Sequence, residues 1–137
     1  MSKKINNILL IDDDTVNNFI VINTLNKLDI TENIDSVLNG ADGIEYITKV
    51  INNDPKLTPA VIFLDINMPI MDGWEFLEEF EKFSDDVKKQ CKIYMVSSSV
   101  YEDDIAKSKQ FTSVIDFISK PLMREKIMDI YNEYNNR

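Results

Sequence analysis

The sequence predicts an α/β fold: a parallel sheet with helices on both faces. Two short apolar runs, Ile8-Leu9-Leu10-Ile11 and Ala60 to Leu64, carry no polar alternation, as in strands buried on both sides. Each ends abruptly in acid, the first in Asp12-Asp13-Asp14 and the second in Asp65. Strand-like and helix-like segments alternate five times along 137 residues, the pattern of βαβ units in one domain with one core.

The elements follow in order. After the first strand, Asp14 is placed to cap a helix over Thr15 to Leu28, whose apolar stripe is broad. Asp35 to Leu38 is a weak strand, ended by the turn pair Asn39-Gly40. Ala41 to Asn52 reads as a helix with Ile44, Ile47 and Ile51 on one face, and residues 53–59 as a loop. The third strand ends at Leu64. Met68-Pro69 then requires extended backbone before the proline, and Asp72-Gly73 turns into a helix with Trp74, Leu77 and Phe80 on its face. Ser84 to Gln90 is polar and reads as a turn. Ile93 to Val96 is the fourth strand, ending in Ser97-Ser98-Ser99, and a short helix spans about Tyr101 to Gln110. Val114 to Ile118 is the fifth strand, ending in Ser119-Lys120-Pro121. The last helix carries Met123, Ile127, Ile130 and Tyr134 on one narrow face, and the final three residues fray.

Right-handed crossovers leave few topologies, and the flavodoxin-like order 2-1-3-4-5 sets the first and third strands side by side at the switch point. Ligands in such sheets bind beyond the carboxyl ends of the strands. Asp12, Asp13 and Asp65 then meet in one crevice, joined by Ser97 and Lys120 from the fourth and fifth strands. Three clustered carboxylates cannot all ionise cheaply unless one is protonated or a cation joins them. An all-oxygen donor set suits Mg²⁺. Lys120 adds a positive charge and Ser97 a hydroxyl, a set fit to hold a phosphoryl group on a carboxylate.

Composition narrows the classes. Net charge is −9, against nucleic-acid binding by the chain alone. There is no histidine, which removes Ser-His-Asp catalysis, histidine zinc sites and a phosphohistidine carrier role. Cys91 is the only cysteine, so there is no internal disulfide, and it reads as a small buried residue. No apolar run is long enough to span a bilayer and no signal-peptide pattern opens the chain, so a cytoplasmic protein is expected.

Four features together resemble the receiver domains of two-component response regulators: Asp12-Asp13, the segment Leu64 to Gly73, Ser97, and Lys120-Pro121. The resemblance covers essentially the whole chain, 1–137, with a core of about 5–134, and implies a stand-alone receiver of five helices with no output domain. It implies that Asp65 is the phosphoacceptor. Asp13, Asp65 and the backbone carbonyl of Asn67 would ligate Mg²⁺, with Asp12 acting mainly through water. Ser97 would be the switch hydroxyl, Phe117 the switch aromatic, and Lys120 the phosphoryl contact, with a Lys120-Pro121 bond that is often cis in the family. Asn67 and Ser99 occupy the positions that tune dephosphorylation; both are small and polar, so a short-lived phosphorylated state is expected. The implied partners are a histidine kinase or histidine phosphotransfer protein, a downstream protein reached through the helices flanking the fifth strand, and a second copy in a homodimer. The resemblance also makes the segment between Gly40 and Ala60 long for the family, so an extended second helix is expected.

Two other readings compete. Asp12-Asp13-Asp14-Thr15-Val16 fits the nucleophile motif of haloacid dehalogenase-like phosphatases, with Asp12 as nucleophile and Asp14 as acid-base, but this leaves the Asp65 to Gly73 segment unexplained. A pseudo-receiver that binds partners unphosphorylated has no need of the full set Asp12, Asp13, Asp65, Ser97 and Lys120. Asp14 reads as a cap, Trp74, Phe76 and Phe80 as packing, and the glutamates from Glu75 to Glu81 as a solvated helix face.

Overall fold

Five strands carry the fold: β1 (Ile8–Ile11), β2 (Ile34–Val37), β3 (Val61–Leu64), β4 (Lys92–Ser97) and β5 (Val114–Ser119). The computed structural model describes residues 2–99 and 101–137. All the strand pairs are parallel, in the order β2-β1-β3-β4-β5, as the sequence predicts. The helices are α1 (Thr15–Leu28), α2 (Gly40–Asn53), α3 (Gly73–Phe80), α4 (Asp85–Gln90), α5 (Glu102–Ser108) and α6 (Arg124–Asn135), with one 3-10 turn at Pro55–Leu57.

Side-chain alternation along the strands divides the core in two. Leu9, Ile11, Ile62 and Leu64 pack with Ile47 of α2 and with Phe76, Leu77 and Phe80 of α3. Ile8, Leu10, Val61 and Phe63 pack with Val21 and Leu25 of α1 and with Ile127 and Ile130 of α6. Both sides of β1 and β3 are therefore covered, which is why their sequences show no polar alternation.

Among the described residues the helix count is six, not five. Ser84 to Gln90, read as a turn, holds α4. The Ser84 hydroxyl accepts from the Val87 N–H, Asp85 and Asp86 occupy the first turn, and Lys88 and Lys89 the last, as the helix dipole favours. Val87 is the one buried residue of α4, so no apolar stripe marks it. The last helix also differs: Met123 is its N-cap and is exposed, and the buried face begins at Ile127. The long segment after Gly40 is filled by α2 and the 3-10 turn.

At the amino end of the sheet a polar network ties these parts together. Buried Asn7 donates to the Tyr46 hydroxyl at 2.8 Å and to the Leu57 carbonyl at 2.7 Å, and Asn33 donates to the Asn7 Oδ1 at 2.9 Å. Tyr46 donates in turn to Asp35. Burial, then the Asp35 hydrogen bond, pushes the Tyr46 phenol up to about 12. On the α3 side, Trp74 stacks on Phe111 with ring centroids 6.4 Å apart, and the Lys107 Nζ lies 4.5 Å over the indole.

Candidate functional site

The site forms where β1 and β3 end side by side. Register pairs Ile11 with Leu64, so the acids that follow each strand emerge together. Asp12 and Asp65 are buried, and Asp13 is exposed at the mouth. Asp12, Asp13 and Asp65 each offer a carboxylate oxygen within 4.8 Å of the others. Lys120, at the end of β5, reaches in from the opposite side. Its Nζ lies 2.8 Å from the Asp12 Oδ2 and 3.8 Å from the Asp65 Oδ1. The Lys120-Pro121 bond is cis.

Each acid is held by its own loop. The Asp12 Oδ1 accepts from the Asp14 N–H at 2.9 Å, and the Asp65 Oδ1 from the Ile66 N–H at 2.9 Å. Asp14 caps α1 by accepting from the Asn17 N–H at 3.0 Å, as the sequence predicts for it. Ser97, the last residue of β4, is buried. Its Oγ accepts from the Ser99 N–H at 3.2 Å, and its carbonyl accepts from the Lys120 N–H at 2.8 Å. The serine and lysine ends of the two strands are thus linked through backbone. Phe117 lies opposite Met95 and is partly buried against the α3-side core. Asn67 is exposed and Ser99 half-buried, each on a loop leaving the site.

The start of α3 is pressed against the acceptor loop. The Gly73 N–H donates to the Ile66 carbonyl at 2.8 Å, and a Cβ on Gly73 would lie 2.5 Å from the Asp65 carbonyl oxygen. Only glycine fits there. Asp72 and Glu75 form a reciprocal capping box at the same helix end.

Burial first, and then the Asp12 charge, pushes the Asp65 carboxyl up to about 6, against the opposing pull of Lys120. Burial works against the Lys120 ammonium, yet the hydrogen bond and charge of Asp12, with the charge of Asp65, carry its pKa above the ordinary lysine value. Three acids against one ammonium leave the site short of positive charge. An oxygen-only donor set in that state fits a hard divalent cation such as Mg²⁺.

Two residues that line the site escaped sequence reasoning. Asn18, buried on α1, donates to the Asp12 carbonyl at 2.9 Å, and Asn17 donates to the Asp12 Oδ2 at 3.3 Å. Their signal was polar side chains three and four positions past the cap inside an apolar helix. The same helix leaves Val16, Phe19 and Ile20 exposed, Phe19 by 71%.

A family profile described as the response regulator receiver domain matches residues 8–132. The chain is 33% identical over 137 residues to a hybrid signal transduction histidine kinase L of Dictyostelium discoideum, across 97% of this chain and 7% of that protein. It is 32% identical over 126 residues to a protein-glutamate methylesterase/protein-glutamine glutaminase of Methanococcoides burtonii, across 91% of this chain and 32% of that protein. The chain therefore spans less than a third of the length of either relative. Among solved structures it is similar to a two component response regulator from Cytophaga hutchinsonii, with TM-score 0.90, 31% identity, and coverage of 98% of this chain and 100% of that one. It is also similar to a chain in the CheX-CheY-BeF3-Mg+2 complex from Borrelia burgdorferi, with TM-score 0.73, 25% identity, and coverage of 94% and 89%. No described helix is long and apolar enough to cross a membrane.

Proposed function

The chain belongs to the response regulator receiver domain family, and we propose that within it Asp65 accepts the phosphoryl group from a phosphohistidine on a histidine kinase or phosphotransfer protein. One observation carries the assignment: Asp65 is a buried acid at the end of central β3, with the start of α3 pressed against its carbonyl at Gly73 and the Lys120 Nζ 3.8 Å from its Oδ1. An Asp65 carboxylate oxygen attacks the phosphorus, the P–N bond breaks, and the imidazole leaves with the electron pair. The product is an acyl phosphate.

Asp12, Asp13, Asp65 and the Asn67 carbonyl would hold Mg²⁺, which when bound neutralises charge that builds on the phosphoryl oxygens. The similar Borrelia complex is named for Mg²⁺ and BeF3, which supports that assignment. Lys120 already spans Asp12 and Asp65, so its ammonium meets a phosphoryl group on Asp65. Ser97 closes on the same group through its hydroxyl. Motion of Ser97 passes to β5 through the Lys120 N–H bond to its carbonyl, and Phe117 follows by repacking, having no hydroxyl of its own. The signal leaves through α5, β5 and α6 to a downstream protein or a second copy of the chain. Asn67 and Ser99 admit the water that hydrolyses the acyl phosphate, so the state is transient. The chain catalyses only its own phosphorylation and dephosphorylation, within the cytoplasm. Val16, Phe19 and Ile20 give a protein donor an apolar surface on the first turns of α1. The phosphatase alternative has less to stand on, because Asp14, its acid-base, caps α1.

The test is incubation with acetyl phosphate and Mg²⁺ followed by intact-mass analysis, with Asp65→Asn alongside. One added phosphoryl group that needs Mg²⁺ and disappears in the variant is the expected result. Steady phosphate release that survives in Asp65→Asn would overturn the assignment.

A further inference from the structure

One helix adds little to the core and nothing to the acceptor site. α4 buries Val87 alone, and its last turn carries Lys88 and Lys89. It lies at the amino end of the sheet, the pole opposite Asp65, and β4 opens just after it at Lys92. Beside it runs an open groove of about 550 Å³, whose lining includes Asn6, Thr58, Lys89, Lys92, Tyr134 and Arg137. No aspartate or glutamate lines it. A smaller hollow of about 270 Å³ adjoins it, shares Lys89 and Lys92, and reaches Thr112 and Ser113. Among the described residues no ion pair engages Lys89, Lys92 or Arg137. The acids that border the two hollows are already occupied. Glu81 and Asp85 hold Lys88 at 3.5 and 3.6 Å, and Glu133 accepts from the Tyr94 hydroxyl at 3.3 Å.

The floor of the groove is fixed before anything binds. The Asn6 amide donates to the Lys56 and Thr58 carbonyls at 3.0 and 2.7 Å. The Ala60 N–H donates to the Asn7 carbonyl at 3.1 Å, and the Lys92 N–H to the Ala60 carbonyl at 3.0 Å. Arg137 is set against Tyr134, its guanidinium carbon 5.3 Å from the ring centroid. A surface held in this way loses little order on binding. The whole chain carries a net charge of −9, yet three cations gather here around a groove with no acid in its lining. Such a groove attracts anions locally although the molecule as a whole repels them. We propose that it binds an acidic peptide segment of a partner protein, whose carboxylates meet Lys89, Lys92 and Arg137. The joined hollows form an open trough, which suits an extended chain better than a compact metabolite. A nucleic acid would run past the trough onto the rest of an acidic molecule. The proposal does not depend on phosphorylation of Asp65, which lies at the other pole.

The experiment titrates the full chain into a fluorescein-labelled octaglutamate peptide and follows anisotropy at low salt. The wild type should bind with a Kd of roughly 10–100 µM and weaken several-fold at about 0.15 M salt, as exposed charges are screened. Lys89→Gln/Lys92→Gln should weaken binding about tenfold, and Lys89→Arg/Lys92→Arg should keep it. Lys109→Gln/Arg124→Gln removes the same two charges from exposed positions outside the groove, and should bind within about twofold of the wild type. Lys89 is exposed, so Lys89→Glu alone carries the test, with a similar loss, if the double glutamine variant does not fold. Labelling of Asp65 by acetyl phosphate should be unchanged in every folded variant. No binding by the wild type, or an equal loss in the two glutamine pairs, would overturn the proposal. So would tripolyphosphate or a short single-stranded DNA that displaces the probe at lower concentration than unlabelled octaglutamate does.

Discussion

Asp65→Asn should make the metal-free protein more stable, although it removes the central residue of the site. Burial and the charge of Asp12 raise the Asp65 pKa from 3.8 to about 6. At 1.36 kcal/mol per unit, keeping this carboxylate ionised in the fold costs about 3 kcal/mol. Asparagine removes that cost and keeps an oxygen for the Ile66 N–H. That cost is already net of the Lys120 attraction; water at the mouth screens it further, so a gain of about 1–3 kcal/mol is expected at pH 7.5 in EDTA, or roughly 4–10 °C for a chain of this length. The sign with pH follows from linkage. Between 3.8 and about 6 the folded carboxyl binds more protons than the unfolded one, so wild-type stability falls as pH rises through that window and is flat above it. The gap between variant and wild type should therefore shrink to roughly half at about pH 5 and vanish below the unfolded value. Urea melts at the two pH values read it directly. An asparagine variant less stable than the wild type at pH 7.5, or a gap that widens on acidification, would refute the reasoning. Added Mg²⁺ should raise the wild-type melt and leave the variant nearly unmoved.

Three further outcomes can be measured on the same preparation. Gly73→Ala drives a Cβ to within 2.5 Å of the Asp65 carbonyl oxygen; it should cost about 2–4 kcal/mol in a thermal melt and slow acetyl phosphate labelling. Phe19→Glu alters an exposed side chain, so stability should stay within about 0.5 kcal/mol while phosphotransfer from a protein donor falls about tenfold. Burial pushes the Cys91 thiol up to about 12, so a disulfide reagent should find it unreactive in the native chain and react fully in urea, followed by thiolate absorbance.

What was legible in the sequence follows burial. β1 and β3 sit at the centre of the sheet with both faces covered, so continuous apolar runs gave them away, and the acids at their ends marked the site. β2 lies at the edge, and its Ile34-Asp35-Ser36-Val37 is half-buried, so its signal was weak and its start was misplaced by one residue. α4 buries Val87 alone and offered no periodicity to read. In α1 the exposed Val16, Phe19 and Ile20 blurred the stripe formed by Val21 and Leu25, and Asn17 and Asn18 were lost within it. The positive φ of Ile70, 71°, left no local signal, because the loop around it is fastened by the Gly40 N–H to the Met71 carbonyl and by the Gly73 N–H to the Ile66 carbonyl.

The stacking of Trp74 on Phe111 beneath Lys107 has a practical consequence. Trp74 is the only tryptophan of the chain, so all indole emission comes from one seam. On one side of that seam is α3, whose first residue is fastened to the acceptor loop; on the other is α5, which follows the loop of Ser97. An ammonium 4.5 Å from the ring is a strong local perturber of an indole excited state. The chain thus carries its own optical gauge of the distance between those two loops, readable at a single wavelength on unlabelled protein while a phosphodonor is mixed in.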